Sequence, residues 1–100
     1  MSELVEFVNE VGGFYFRSVF LPNAGTWIDQ HVHDHDHATY CGAGAAVLYV
    51  NGEPKERVEA GHAVAIKAGQ KHAFWSVEPN TRLTCVHDVK SAESVKAKGI

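Results

Sequence analysis

A chain of 100 residues with 45% hydrophobic content and a formal net charge of −3 is expected to fold as one globular domain spanning 1–100, too short for a second core. Its lysines and arginines are scattered rather than gathered into the basic stripe of a nucleic-acid surface, and no apolar run approaches the roughly 18 residues of a membrane span. Two cysteines, Cys41 and Cys85, cannot supply a disulfide framework, and the Met-Ser-Glu-Leu-Val-Glu start lacks a signal peptide's basic and apolar regions, so the expected compartment is the cytoplasm.

Residues 3 to 11 read equally as a short helix or a strand. From Phe14 to Phe20 the pattern is clearer, because Phe14, Phe16, Ser18 and Phe20 alternate with Tyr15, Arg17 and Val19, a strand period rich in aromatics. Large apolar groups fall on both faces, which predicts burial against a partner subunit. Leu21 to Gly25 is a turn punctuated by Pro22 and Gly25. A strand from Trp27 to His33 follows, and strict alternation would place Trp27, Asp29, His31 and His33 on one face.

The segment His31-Val32-His33-Asp34-His35-Asp36-His37 holds four of the seven histidines, at every second position. Imidazoles presented this closely from a stiff strand suit a divalent transition metal, which needs neutral nitrogen donors at fixed angles. An exposed His/Asp-rich loop that binds metal only adventitiously is the competing reading of the tract alone. Asp34 to Asp36 is expected to bend the chain, and a new strand starts near His37 with His37, Thr39 and Cys41 on one face.

Gly42 and Gly44 interrupt that strand as a bulge or kink. Ala45 to Val50 is an apolar strand, Asn51-Gly52 a hairpin turn, and Glu53 to Val58 a charged, exposed return strand. Glu59 to Gly61 turns again, Ala63 to Ile66 is a short buried strand, and Ala68 to Gln70 is a further turn. Lys71 to Val77 places His72, Phe74 and Ser76 on one face, and Arg82 to Val89 is the last strand. Ser91 to Lys98 reads as a short terminal helix capped by Ser91. Many short strands with closely spaced turns predict an all-β sandwich or barrel.

Two spacings then resemble a known family. Gly25 is followed by five residues, His31, one residue, His33, three residues, His37, six residues and Gly44. Gly61 is followed by five residues, Lys67, one residue, Gly69, two residues, His72, three residues and Ser76. These resemble the two motifs of the cupins, over about 25–44 and 61–76. In three places the chain departs from the family pattern: His37 stands where glutamate is usual, Lys67 where proline is usual and Ser76 where asparagine is usual. The first departure makes the site similar to that of single-domain cupins with a four-histidine centre.

The resemblance implies a six- to eight-stranded antiparallel β-barrel of the jelly-roll (double-stranded β-helix) kind. It also implies one divalent transition metal per chain, whether Mn, Fe, Ni, Cu or Zn, on His31, His33, His37 and His72. His35 falls inside the three-residue spacer and is left out of this set, and His62 reads as a surface turn residue. His87, on the last strand with Leu83 and Cys85, reads as a packed histidine, with a role as acid or base beside the metal as its alternative. Asp29 is a candidate to orient a histidine ring. Trp27, Phe74 and Tyr49 are candidates to line the site, against the plainer reading of each as core, and Cys41 shares the face of His37. No catalytic triad, paired carboxylates or phosphate loop is legible, so the metal centre itself would carry any chemistry.

Four neutral imidazoles leave the charge of the ion uncompensated, which strengthens its Lewis acidity and leaves two positions of an octahedral ion open. The expected function is a metal-dependent enzyme acting on a small chelating organic molecule, with oxygenase chemistry preferred. The alternatives are non-redox isomerase, cyclase or lyase chemistry, and a non-catalytic metal- or ligand-binding module. A small-molecule ligand and a homodimer are the expected partners.

Overall fold

Alternation of apolar and polar residues sets the architecture, because in a strand every second side chain turns to the same face. The computed structural model describes residues 5–88, and these form nine strands: β1 (Val5–Val11), β2 (Phe14–Leu21), β3 (Trp27–His31), β4 (His37–Ala43), β5 (Ala45–Val50), β6 (Glu53–Glu59), β7 (His62–Ile66), β8 (His72–Ser76) and β9 (Thr81–Asp88). The ambiguous N-terminal segment is thus a strand, paired antiparallel with β2. The terminal helix expected over 91–98 lies outside the described residues. No helix among the described residues is long and apolar enough to cross a membrane.

The strands form two antiparallel sheets, one ordered β1-β2-β9-β4-β7 and the other β3-β8-β5-β6. From β2 onward every connection except the β5–β6 hairpin crosses from one sheet to the other, the jelly-roll route. The all-β expectation holds, with one correction: the sheets face each other as a sandwich and are not closed into a barrel. Val19, Leu21, Ile28, Leu48, Ile66 and Phe74 lead the apolar core between them. In β4 the expected face is kept, with His37, Thr39 and Cys41 buried while Ala38, Tyr40 and Gly42 are exposed. β7 differs from its expectation, since only Val64 and Ile66 are buried.

Two turns carry backbone demands that the sequence meets. Asn51 and Gly52 have φ of 52° and 83°, the paired positive values of a tight hairpin. Gly44 ends a β4 strand whose register against β9 shifts between Cys41 and Ala43. Its φ is 71°, and a Cβ there would lie 2.8 Å from Thr81 Cα, so only glycine fits between β4 and β5.

A candidate metal centre

The histidines meet because the fold brings together one loop and three strands. Antiparallel pairing sets His37 of β4 opposite Ile66, while β8 presents His72 from the other sheet. β3 ends at His31, opposite His72, with a register shift between Ile28 and His31. That irregularity breaks the strict alternation expected from Trp27 to His33: Ile28 is buried and Trp27 is 47% exposed. Residues 32–36 are loop, so His33 reaches the interior from a bend rather than from a strand.

The loop is tied down by the turn before β8. The Gly69 amide donates to the His33 carbonyl at 2.9 Å, and the Ala68 amide donates to Asp36 Oδ1 at 2.8 Å. Lys67 Nζ stands 3.7 Å from Asp36 Oδ2. The turn is itself closed by the Lys67 amide donating to Gln70 Oε1 at 2.9 Å. Lys67, in the family's proline position, thus gives its amide, which proline lacks, to that closure. Ser76, in the asparagine position, is also a clamp: its hydroxyl accepts from the Thr26 amide and donates to the Asn23 carbonyl, both at 2.9 Å.

His33, His37 and His72 are buried, and each offers a ring nitrogen within 4.8 Å of the others. Their ring centroids are 5.1 Å (His33–His37), 5.6 Å (His33–His72) and 5.2 Å (His37–His72) apart. Rings that share an ion about 2.1 Å from each coordinating nitrogen stand roughly 4.5–5.5 Å apart, so this spacing fits a shared ion. His37 makes the same case chemically. Both its ring nitrogens are buried and neither has a hydrogen-bond partner, which is costly for a polar group unless something else occupies it.

Burial, and then the neighbouring His87, His72, His33 and His35 rings, push the pKa of His37 from 6.5 down to about 2. It therefore stays neutral, the form that binds metal. The residues present fit a nitrogen-preferring divalent ion.

The expected set is only partly brought together. His33, His37 and His72 converge; the side chains of His31 and Asp29 lie outside the described residues. Two further histidines enter the cluster. His35, set aside on motif spacing, is half-buried, with Nε2 2.9 Å from Nδ1 of the buried His87, and His87 stacks on His37 at 4.4 Å. The signal for His35 was the unbroken His-x-His-x-His run. Its parity with His33 survived the bend at 34–36, which alternation alone could not show.

Other candidates fall elsewhere. Phe74 lies beside His72 with ring centroids 6.3 Å apart and belongs to the core. Trp27 and Tyr49 instead pack on each other, with Trp27 also against Trp75, at 4.9 and 4.7 Å. Trp27 is half-exposed there because Ile28 takes the inward position. Cys41 lies in the apolar core at the far end of β4 from His37, with Sγ 3.2 Å from the Ala43 carbonyl and its thiol pushed up by burial. Cys85 is pushed up to about 11 by complete burial. His62 is exposed at the start of β7, beside a surface depression of about 330 Å³ lined also by Glu56, Arg57 and Glu59.

Similar folds are found among solved structures. KdgF from Halomonas sp. superposes with a TM-score of 0.71 at 20% identity, over 83% of this chain and 76% of that one. The DMSP lyase DddQ from Ruegeria pomeroyi DSS-3 gives 0.70 at 21% identity, over 85% of this chain but 46% of that one. A cupin superfamily protein from Desulfitobacterium hafniense DCB-2 gives 0.73 at 9% identity, over 87% and 78%. At such identities the likeness is one of fold. No curated protein matches the sequence. The cupin-domain family profile matches residues 18–87, both motifs included, and the chain belongs to the cupin family.

Proposed function

We propose that the protein is a metal-dependent enzyme acting on a small organic molecule that chelates the ion through oxygen atoms, with oxygenase chemistry. The observation that carries this reading is the convergence of His33, His37 and His72, buried and drawn from a loop and both sheets. A bound Mn or Fe ion would supply Lewis acidity and electrons for dioxygen chemistry. The protein holds the donors neutral by burial, fixes the His33 loop through Asp36 and Gly69, and keeps the inner side of the site dry with Phe74 and Ile66. His31 is the proposed fourth ligand.

Elemental mass spectrometry of the purified protein tests the reading. Near-stoichiometric metal is expected, falling by more than about 10-fold in His33→Ala and His37→Ala. Metal content unchanged in both variants overturns the site. Oxygen uptake with a panel of oxygen-donor chelators then tests the chemistry. A second reading, non-redox lyase chemistry, is favoured by the likeness to DddQ, which is named a DMSP lyase; turnover that persists without oxygen selects it.

We further propose a homodimer formed through β1 and β2. β1 is an edge strand, and Phe7, Val8, Val11 and Phe14 are each at least half exposed on this hairpin, a surface that edge pairing would cover. Sedimentation at the mass of a monomer overturns it. The two buried free thiols support a reducing cytoplasmic location.

A further inference from the structure

His35 and His87 stand outside the donor set of the proposed function, but His87 lies directly against one of its donors. Ala38 of β4 pairs with Val86 of β9, so antiparallel register sets the residues just beyond that pair, His37 and His87, opposite each other. Tyr15 pairs with His87, and His37 with Ile66. One row therefore crosses the inner face of the sheet as Tyr15, His87, His37 and Ile66, every member buried. Within it the rings of His87 and His37 stack, with centroids 4.4 Å apart and planes inclined by 22°.

His87 is pinned from the loop. The Asp34 carboxylate only accepts, so the Nδ1–H of His35 donates to Asp34 Oδ1 at 3.2 Å. Nε2 of the neutral His35 ring then accepts from the Nδ1–H of His87 at 2.9 Å. A chain of two hydrogen bonds thus runs from exposed Asp34 to buried His87, and a bond in the plane of the His87 ring fixes that plane.

A metal-bound imidazole is usually oriented through its second nitrogen, whose N–H is given to a carboxylate, carbonyl or water. His37 has no such bond at either nitrogen. Whichever nitrogen takes the ion, hydrogen bonding does not set the angle of the ring. Rotation about its Cβ–Cγ bond would swing the edge of the ring into the face of His87, and the stack opposes that rotation.

We infer that His87 is a positioning residue: its ring, locked by His35, holds His37 at the angle the ion needs by stacking, in place of the usual hydrogen bond. The inference rests on the metal reading above, and in it neither His35 nor His87 binds the ion.

The test compares His87→Ala, His87→Phe and His35→Ala with the wild type, each checked for folding by circular dichroism. Affinity for Zn(II) is measured by calorimetric titration, and the Cu(II) form is followed by paramagnetic resonance. His87→Ala removes the stack and is expected to weaken Zn(II) binding by about 10-fold and to broaden the copper lines, because His37 then samples several angles. His87→Phe keeps a flat ring without nitrogen, and His35→Ala keeps the stack without its pin. Both are expected to bind more tightly than His87→Ala, with narrower copper lines. A purely structural role would lower the metal-free stability of His87→Ala and leave its affinity and copper lines as in the wild type, which overturns the inference. Binding as weak in folded His87→Phe as in His87→Ala would make His87 a ligand and overturns it too. Should His87→Ala not fold, His87→Phe decides alone: near-wild-type affinity supports the stack, and loss of about 10-fold or more overturns it. A wild type that binds neither Zn(II) nor Cu(II) overturns the metal reading itself, which every other outcome leaves standing.

Discussion

The space between the two sheets holds two regions of equal burial and opposite chemistry. Around Leu48, Phe74 and Leu83 the buried groups are apolar, and each gains by leaving water. Around His37 the buried groups are imidazoles, and His37 has neither ring nitrogen hydrogen-bonded. Burial stabilises the first region unconditionally. In the second it costs free energy until a ligand takes up the lone pairs. The fold is thus held by one region and burdened by the other, the trade expected where a site is preorganised for binding.

Breaking the apolar region should give the largest loss of stability. Leu48→Ala, at a fully buried position of β5, is expected to cost about 2–5 kcal/mol, equally with and without metal, as measured by urea unfolding. The histidine region should respond to metal instead. Saturating Zn(II) or Mn(II) at about a hundred times its dissociation constant is expected to stabilise the wild type by roughly 2.7 kcal/mol, seen as a rise in Tm. His37→Ala should lose that gain while changing the metal-free stability far less than Leu48→Ala does. A metal-independent Tm in the wild type, or a metal-free His37→Ala as unstable as Leu48→Ala, would erase the distinction between the regions.

How much of this was legible follows from where period and spacing act. Strands β5 and β9, the β4 face of His37, Thr39 and Cys41, and the Asn51-Gly52 hairpin were readable because side-chain parity and turn chemistry are local. The convergence of His33, His37 and His72 was readable through motif spacing, since spacing encodes the fold that joins distant strands. The inward turn of His35 and the outward turn of Trp27 were not. Both depend on the irregularity after Ile28, which resets parity by an amount no alternation rule fixes, and on the bend at 34–36 keeping the new parity. His87 joined the cluster through the β2-β9-β4 pairing, a long-range register that a single strand pattern leaves open. Closure of the barrel was likewise a question of how strand edges meet.

Acid should separate the two regions more gently. The pKa of His37 is lowered in the fold to about 2 from 6.5, so between those values the unfolded chain binds a proton that the native ring refuses. Stability from this group is full above pH 6.5 and is lost as pH falls toward 2. For His37 alone the metal-free protein should lose about 1 kcal/mol between pH 6.5 and 5.5, by urea unfolding at each pH. In His37→Ala that slope should flatten by the corresponding amount, and Leu48→Ala should keep it.

The smallest effect tests how the histidine region is held together. Asp36 is exposed, yet its carboxylate accepts the Ala68 amide and pairs with Lys67, fastening the loop of His33 and His35 to the turn that precedes His72. Because the ion pair is exposed it contributes little by itself, and the amide hydrogen bond is worth about 1 kcal/mol. Asp36→Ala should therefore cost about 1 kcal/mol of stability and leave the apolar region untouched. Its effect on metal should be larger in proportion, roughly 10-fold in affinity by calorimetric titration, since a freed loop must be ordered again when the ion binds. Asp36→Asn, whose side-chain oxygen can still accept the Ala68 amide, should recover most of that loss. Equal weakening in both variants would mean that the charge facing Lys67, rather than the hydrogen bond to the turn, holds the loop in place.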